Sequence, residues 1–164
     1  GGASLAESGF WLDYRQTALK SGEILAAIEL PNISEGTYVS SYKVSKRKEL
    51  DISAVSSTFA LRLNAAGRVE HARLAYGGMA ATPLRAYAAE AYLVGKVLSP
   101  EVIEQTIELV GQSFTPMSDH RGSAWYRAKV AGNLLLGYFD DFEHRRAVKL
   151  PSRPSGTVLW QGVS

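Results

Sequence analysis

The sequence predicts an α+β fold in which an antiparallel sheet of three to four strands packs on about three helices. Strand-like alternation fills the stretch from Thr37 to Tyr76, and apolar residues at spacings of three and four fill the stretch from about Thr82 to Phe142. Strands first and helices after them argue against parallel βαβ units. A chain of 164 residues has room for one domain with its own core, plus part of another.

The elements follow in order. Gly9 to Thr17 reads as a short β segment, Lys20-Ser21-Gly22 as a turn, and Glu23 to Leu30 as a largely buried strand stopped by Pro31. Two strands do not make an independent domain, so residues 1–36 belong to a sheet whose other strands lie elsewhere. Thr37 to Val44 alternates, with Tyr38 and Tyr42 on one face. Val55, Phe59, Leu61 and Leu63 share one face of a longer strand, with Ser56, Thr58 and Arg62 on the other. Asn64-Ala-Ala-Gly67 supplies a turn, Val69 to Tyr76 returns as a hairpin partner, and Gly77-Gly78 ends it. Thr82 before Pro83 signals a helix start and Gly95 its end; Ser99 with Pro100 repeats the start signal. Val102, Ile103, Thr106, Ile107 and Val110 form the stripe of that second helix. A last helix begins near Gly122-Ser123 and carries Val130, Ala131, Leu134, Leu135, Tyr138 and Phe142 inward. Residues 37–143 thus make one domain. Residues 144–164, with His144-Arg-Arg146 and Pro151-Ser-Arg-Pro-Ser-Gly156, read as an irregular basic tail that ends near Val158-Leu159-Trp160.

Composition narrows the chemistry. With 46% hydrophobic and 21% charged residues, the chain is of the ordinary globular kind. There is no cysteine, which excludes a thiol nucleophile, a thiolate zinc site and an iron–sulfur cluster ligated within this chain. His71, His120 and His144 lack metal-ligand spacing and read as surface groups. A net charge of +2 gives no reason to expect a nucleic acid partner, and no apolar run approaches the roughly 20 residues of a membrane span. Cytoplasmic residence is the default expectation.

Three polar segments stand out. Lys43-Val-Ser-Lys-Arg-Lys-Glu-Leu-Asp51 sets four cations and two carboxylates between two strands. It reads either as a solvated loop or as one that holds cations beside an anionic ligand. Arg47 can pair with Glu49 or Asp51 to shape it. Ala75-Tyr-Gly-Gly-Met-Ala80 allows a close backbone approach, to a ligand or simply at a strand-to-helix turn. In Asp119-His-Arg-Gly-Ser-Ala-Trp-Tyr-Arg127, Asp119 or Ser123 can cap the final helix, and Arg127 can reach the preceding turn. That structural role outweighs catalysis.

Tyr42 to Ser53 resembles the signature loop of xanthine dehydrogenases and related molybdenum hydroxylases, aromatic-Lys-x-x-Ser/Lys-Arg-Arg/Lys-x-x-Asp-Ile-Ala/Ser. Leu74 to Ala80 is similar to that family's Tyr-Gly-Gly-Met segment, and Asp119 to Arg127 to its bacterial Arg-Gly-Ser-x-x-Tyr-Arg helix start. Upstream, Tyr14-Arg-Gln-Thr17, Glu23-Ile-Leu25 and Ile28-Glu-Leu-Pro31 resemble the last strands of the FAD-binding domain. The order and spacing hold from about Phe10 to Phe142.

This resemblance implies that residues 37–143 are the C-terminal α+β domain of the flavoprotein part and that residues 1–36 finish the FAD-binding domain. Electrons in this family leave a purine carbon at a molybdenum cofactor, cross two [2Fe–2S] clusters to FAD, and pass to NAD+ or oxygen. The FAD would be shared with the remainder of its domain. The molybdenum cofactor and the clusters are expected on other domains or chains, which are the implied partners. Carried over by position, Lys43 contacts the flavin, Leu25 packs near the isoalloxazine, and the loop bearing Arg47, Lys48 and Asp51 lies beside the ring and influences nicotinamide access. The loop departs from the family in Leu50, where animal members carry a second carboxylate, and in Lys48, where arginine is common. The alternative reading is a non-catalytic binding or assembly module that keeps the fold without redox activity.

Overall fold

A computed structural model describes residues 7–29, 32–47 and 51–147. A helical turn, α1 (Glu7–Phe10), leads into a small hairpin, β1 (Trp11–Asp13) with β2 (Gln16–Thr17), turned at Arg15 with φ 57°. The sheet proper has four antiparallel strands in chain order: β3 (Tyr38–Val44), β4 (Val55–Leu63), β5 (Val69–Gly77) and β6 (Leu84–Arg85). Three helices follow, α2 (Tyr87–Leu93), α3 (Pro100–Gln112) and α4 (Ala124–Ala147). This is the α+β sandwich that the order of patterns predicts.

One sheet face builds the core. Val55, Phe59, Leu61, Leu74 and Tyr76 are buried on it, and Ala131, Leu135, Tyr138 and Phe139 of α4 lie over them. Each large side chain so buried contributes roughly 1.5–3 kcal/mol relative to exposure. Aromatic rings knit the layers together. Phe59 meets Tyr76 and Tyr138 edge-on at 5.1 and 5.3 Å, and Tyr38 stacks on Tyr138 at 5.3 Å. Two buried phenols donate to backbone carbonyls, Tyr76 to that of Ala131 (3.2 Å) and Tyr138 to that of Tyr38 (2.8 Å). Asn64 closes the β4–β5 turn by accepting from the Ala66 and Arg68 amides. A bulge beside Arg62 and Leu63 then keeps Leu63 and Val69 on the core side and Arg62 and His71 on the other. Ser99 caps α3 through the Val102 amide, with Pro100 at the first position.

Four expectations need correction. The turn at Lys20–Gly22 forms, but the described part of the Glu23–Leu30 strand, residues 23–29, is irregular and pairs with no strand. It is exposed, with Ile24 at 82% and Ile28 at 73%. A strand exists only through pairing, and β1 and β2 pair only with each other. The Gly9–Thr17 segment is a helical turn plus hairpin, not one strand. The Thr82–Pro83 signal does not start a helix. Leu84 and Arg85 instead pair with Tyr76 and Ala75, and α2 begins at Tyr87 without a side-chain cap. The open edge of β5 offered ladder bonds, continued by the Ala86 amide on the Leu74 carbonyl, that a cap alone could not match. Finally, α4 runs through Ala147, four residues into the expected tail, because nothing between Phe142 and Ala147 breaks a helix. The rest of that tail, with Trp160, lies outside the described residues.

Candidate functional site

The site begins with the end of β3. Alternation that buries Tyr38 and Tyr42 toward α4 turns Lys43 to the opposite, helix-free face of the sheet, where it is exposed. In register, Lys43 stands opposite Ser56 on β4, and Ser56 opposite Gly77 on β5. Lys43 and Gly77 therefore share one row across the sheet, about 10 Å apart at the spacing of two strands. The next row, Ser41, Thr58 and Ala75, is also small, and Ser41 and Thr58 bond through their hydroxyls at 2.9 Å. This end of the face is lined by small residues on β3, β4 and β5, with Lys43 at one margin and Arg85 of β6 beyond Ala75. Behind it, the Tyr42 hydroxyl donates to Asp141 of α4 at 2.7 Å, and partial burial pushes the phenol up to about 12.

The loop from Ser45 to Ala54 extends beyond this row. Its neck is closed by the Ala54 amide on the Val44 carbonyl (2.8 Å). Inside it, the Arg47 amide donates to Asp51 at 3.2 Å, and the guanidinium is 3.9 Å from the same carboxylate. Ser45 adds a bond to the Arg47 carbonyl (2.6 Å). Arg47 and Asp51 thus shape the loop locally. The Arg47 side chain is 81% exposed, so the charge pair itself adds little and its geometric role dominates. Lys48 lies outside the described residues. Leu25 sits in the irregular stretch ahead of the sheet, 53% exposed and apart from the core cluster.

Both arms of the loop are tied to the turn before α4. Lys46 donates its ammonium to the His120 carbonyl. Arg127, only 5% exposed, donates to the Ala54 carbonyl, to the Gly78 carbonyl (2.7 Å) and to Asp119 (2.7 Å). Asp119 also accepts from the Arg121 amide (2.8 Å) and the Gly122 amide (3.2 Å). The Arg121 amide and the Arg127 guanidinium hold its carboxyl down at about 2. A cleft of about 280 Å³ lies between Ser45, Lys46 and Ala54 on one side and Arg121, Gly122 and Tyr126 on the other. A larger one, about 400 Å³, opens at the far end of the sheet by Tyr38, Leu63 and Phe142, away from every segment singled out in the sequence.

Sequence reasoning anticipated that Arg127 reaches the preceding turn, but not that it pairs there with Asp119 and joins Ala54 and Gly78. It also missed Glu90. That buried carboxylate accepts from the Leu74 amide (2.8 Å) and from Arg85 (3.0 Å), with Arg73 at 4.0 Å, and so pins α2 to the edge of β5. His71 is half-buried, not a surface group. Burial and then Arg73 and Arg62 push it below its ordinary value. Among the described residues, no cluster of His, Asp or Glu could hold a metal, and no helix is long and apolar enough to cross a membrane.

Comparison with known proteins places this architecture. Residues 40–142 match the model of the CO dehydrogenase flavoprotein C-terminal domain. Xanthine dehydrogenase of Emericella nidulans is 35% identical over 149 residues, covering 89% of this chain and 11% of that protein. The glyceraldehyde dehydrogenase medium chain of Sulfolobus acidocaldarius is 34% identical over 125 residues, 76% of this chain and 43% of the other. Carbon monoxide dehydrogenase from Hydrogenophaga pseudoflava, solved without the Mo-pyranopterin moiety of its molybdenum cofactor, superposes with a TM-score of 0.77 at 29% identity. It covers 84% of this chain and 47% of that one. The chain spans less than half the length of each of these proteins. It belongs to the CO dehydrogenase flavoprotein C-terminal domain family, the C-terminal part of the flavoprotein unit of molybdenum hydroxylases.

Proposed function

We propose that this chain forms one wall of the flavin site of a molybdenum hydroxylase, with Lys43 at the ring and the loop from Val44 to Ser53 beside it. In this reading, residues 1–36 complete the FAD-binding domain, which shares the FAD, and residues 37–143 are the flavoprotein C-terminal domain. The [2Fe–2S] clusters and the molybdenum cofactor belong to partner domains or chains. The substrate class is xanthine-like, the acceptor NAD+, and the setting cytoplasmic. When bound, FAD supplies the two-electron chemistry that links the cluster donors to the acceptor.

The observation that carries this reading is the row Lys43–Ser56–Gly77. A planar ring system packs on small residues, and Ser56, Gly77, Ser41, Thr58 and Ala75 are neighbours at this end of the sheet. Its reduced form gains negative charge, and an ammonium at the margin favours that form. Ser56 and Gly77 add little bulk. Their spacing is tight, since a Cβ on Gly77 would stand 2.5 Å from the Ser56 hydroxyl. Arg47 and Asp51 hold the loop open beside the row and so set access from the acceptor side. Leu25 would supply apolar contact from the FAD-binding domain.

Lys43→Ala in the assembled enzyme tests this directly, since the side chain is exposed and its loss leaves the core intact. Slower flavin reduction or weaker FAD retention is expected. Unchanged flavin content with unchanged kinetics rejects the assignment. An assembly that stays colourless with every partner supports the binding-module alternative instead.

A further inference from the structure

We propose that Arg127, backed by Asp119, is the positioning residue of the flavin loop: one buried guanidinium sets the spacing between the loop's exit at Ala54 and the Gly77–Gly78 turn. This inference rests on the flavin-site reading and goes beyond it, because Arg127 lies on a helix and is not part of the row that would face the ring.

The sheet ladder explains why such a residue is needed. The Ser56–Gly77 pair ends the β4–β5 ladder; Gly78 follows it directly on one side, and Ala54, just ahead of β4, lies two residues beyond Ser56 on the other. Their carbonyls have run out of rungs. Arg127 supplies the missing rung by donating to both from one nitrogen while its second nitrogen holds Asp119. The approach is close. A Cβ on Gly78, whose φ is +79°, would fall 2.5 Å from the Ala54 carbonyl oxygen. Arg127 reaches the two carbonyls and the carboxylate from two nitrogens fixed in one plane, a span that the single nitrogen of a lysine does not reproduce.

The clamp is itself held rigidly. Arg127 sits in the first turn of α4, whose Ala131, Leu135 and Tyr138 are anchored in the core. Asp119 is closed into a turn by reciprocal backbone bonds with Gly122 (3.0 and 3.2 Å). Lys46 ties the loop's other arm to His120 in the same turn. A shift of this node therefore moves both ends of the loop, at Lys46 and Ala54, relative to the Lys43 row. Three of the segments that resemble the molybdenum hydroxylases converge at this guanidinium: Leu74 to Ala80 at Gly78, Asp119 to Arg127 through Asp119 and Arg127 themselves, and Tyr42 to Ser53 at Ala54 directly after it.

The test uses the flavin-containing holoenzyme with Arg127→Lys and Asp119→Asn. Arg62→Ala serves as control, because it breaks a comparable pair (Arg62 to Glu70, 3.0 Å) at the other end of the sheet. Misplacing a reacting group by about 1 Å can cost up to ~100-fold in rate. Both node variants should therefore retain FAD but reoxidise it roughly ten- to a hundredfold more slowly with the acceptor. Their flavin midpoint potential should also be displaced, a change that a merely structural role would not cause. Arg62→Ala should leave both unchanged. Amide exchange at residues 51–54 and 77–79, measured for Asp119→Asn in the full chain, should rise together, and this readout stands even if a variant fails to assemble. Unaltered exchange in both segments overturns the inference. So do flavin kinetics and potential equal to wild type, or an equal change in Arg62→Ala. A wild-type assembly that lacks flavin instead rejects the flavin-site reading, leaving the exchange data to judge the clamp.

Discussion

Gly78→Ala offers the sharpest measure of how tightly the loop and the Gly-Gly turn are held. Two costs can be separated. The first is conformational: at φ +79° a Cβ crowds the following carbonyl, for about 1–2 kcal/mol. The second is the collision with the Ala54 carbonyl oxygen at 2.5 Å, with the Arg127 Nη1 at 3.1 Å. Backbone cannot yield cheaply, so the turn must move away and lose one charge-assisted bond to Arg127, about 1.5–3 kcal/mol. The sum is about 2.5–5 kcal/mol, a large part of a typical domain stability of about 5–15 kcal/mol. Gly95→Ala isolates the first cost, because its φ is +82° and nothing lies within 4 Å of the added Cβ. It should lose only about 1–2 kcal/mol. Equilibrium urea denaturation of both variants, followed by circular dichroism and compared at equal m-values, gives the difference. If the two variants unfold within error of each other, the close approach at Ala54 is not real and the reasoning built on it fails.

Two further outcomes are expected. Asp119 titrates in the folded chain at about 2, below the ordinary 3.8, so its stabilising contribution is complete above 3.8 and fades as pH falls toward 2. Thermal midpoints of wild type and Asp119→Asn should therefore differ at neutral pH and converge across that window; parallel curves would contradict the clamp. Ser99→Ala removes the acceptor for the Val102 amide (3.3 Å) and should cost about 1 kcal/mol in the same urea experiment. No loss would mean that Pro100 and the Glu101 charge start α3 unaided.

The core layers were legible because each rests on a local period. Val55, Phe59 and Leu61 alternate and are fully buried, and the Ser99–Pro100 start is where α3 begins. The failures share a cause. Glu23–Leu30 has the composition of a buried strand, but pattern reports what a segment can pair with, not whether a partner is present. Thr82–Pro83 carries a good helix signal that lost to three nearby demands. These were the open edge of β5, the Ala86 amide seeking the Leu74 carbonyl, and Glu90 drawing Arg85 back toward the sheet. None of these is visible in a window around residue 82, because each depends on where β5 ends.

The site divides along the same line. Lys43, Arg47 and Asp51 could be singled out as a dense run of charge between two strands, and the bond between Arg47 and Asp51 is a contact of four residues' separation. Arg127 offered only its reach to the preceding turn, where the structure pairs it with Asp119, eight residues away. Its reach to Gly78 and Ala54 spans 49 and 73 residues and exists only because α4 crosses the end of the sheet where the ladder stops. A residue that binds backbone carbonyls also leaves no mark on the side chains of its partners. Ala54 looks like an ordinary core alanine, and Gly78 like an ordinary turn glycine. The physical trace is indirect: a glycine that cannot gain a methyl, beside a carbonyl with no strand partner, opposite a buried arginine. Those three facts appear together only once the strands are in register, which is why the loop's charge was readable from the sequence and its mounting was not.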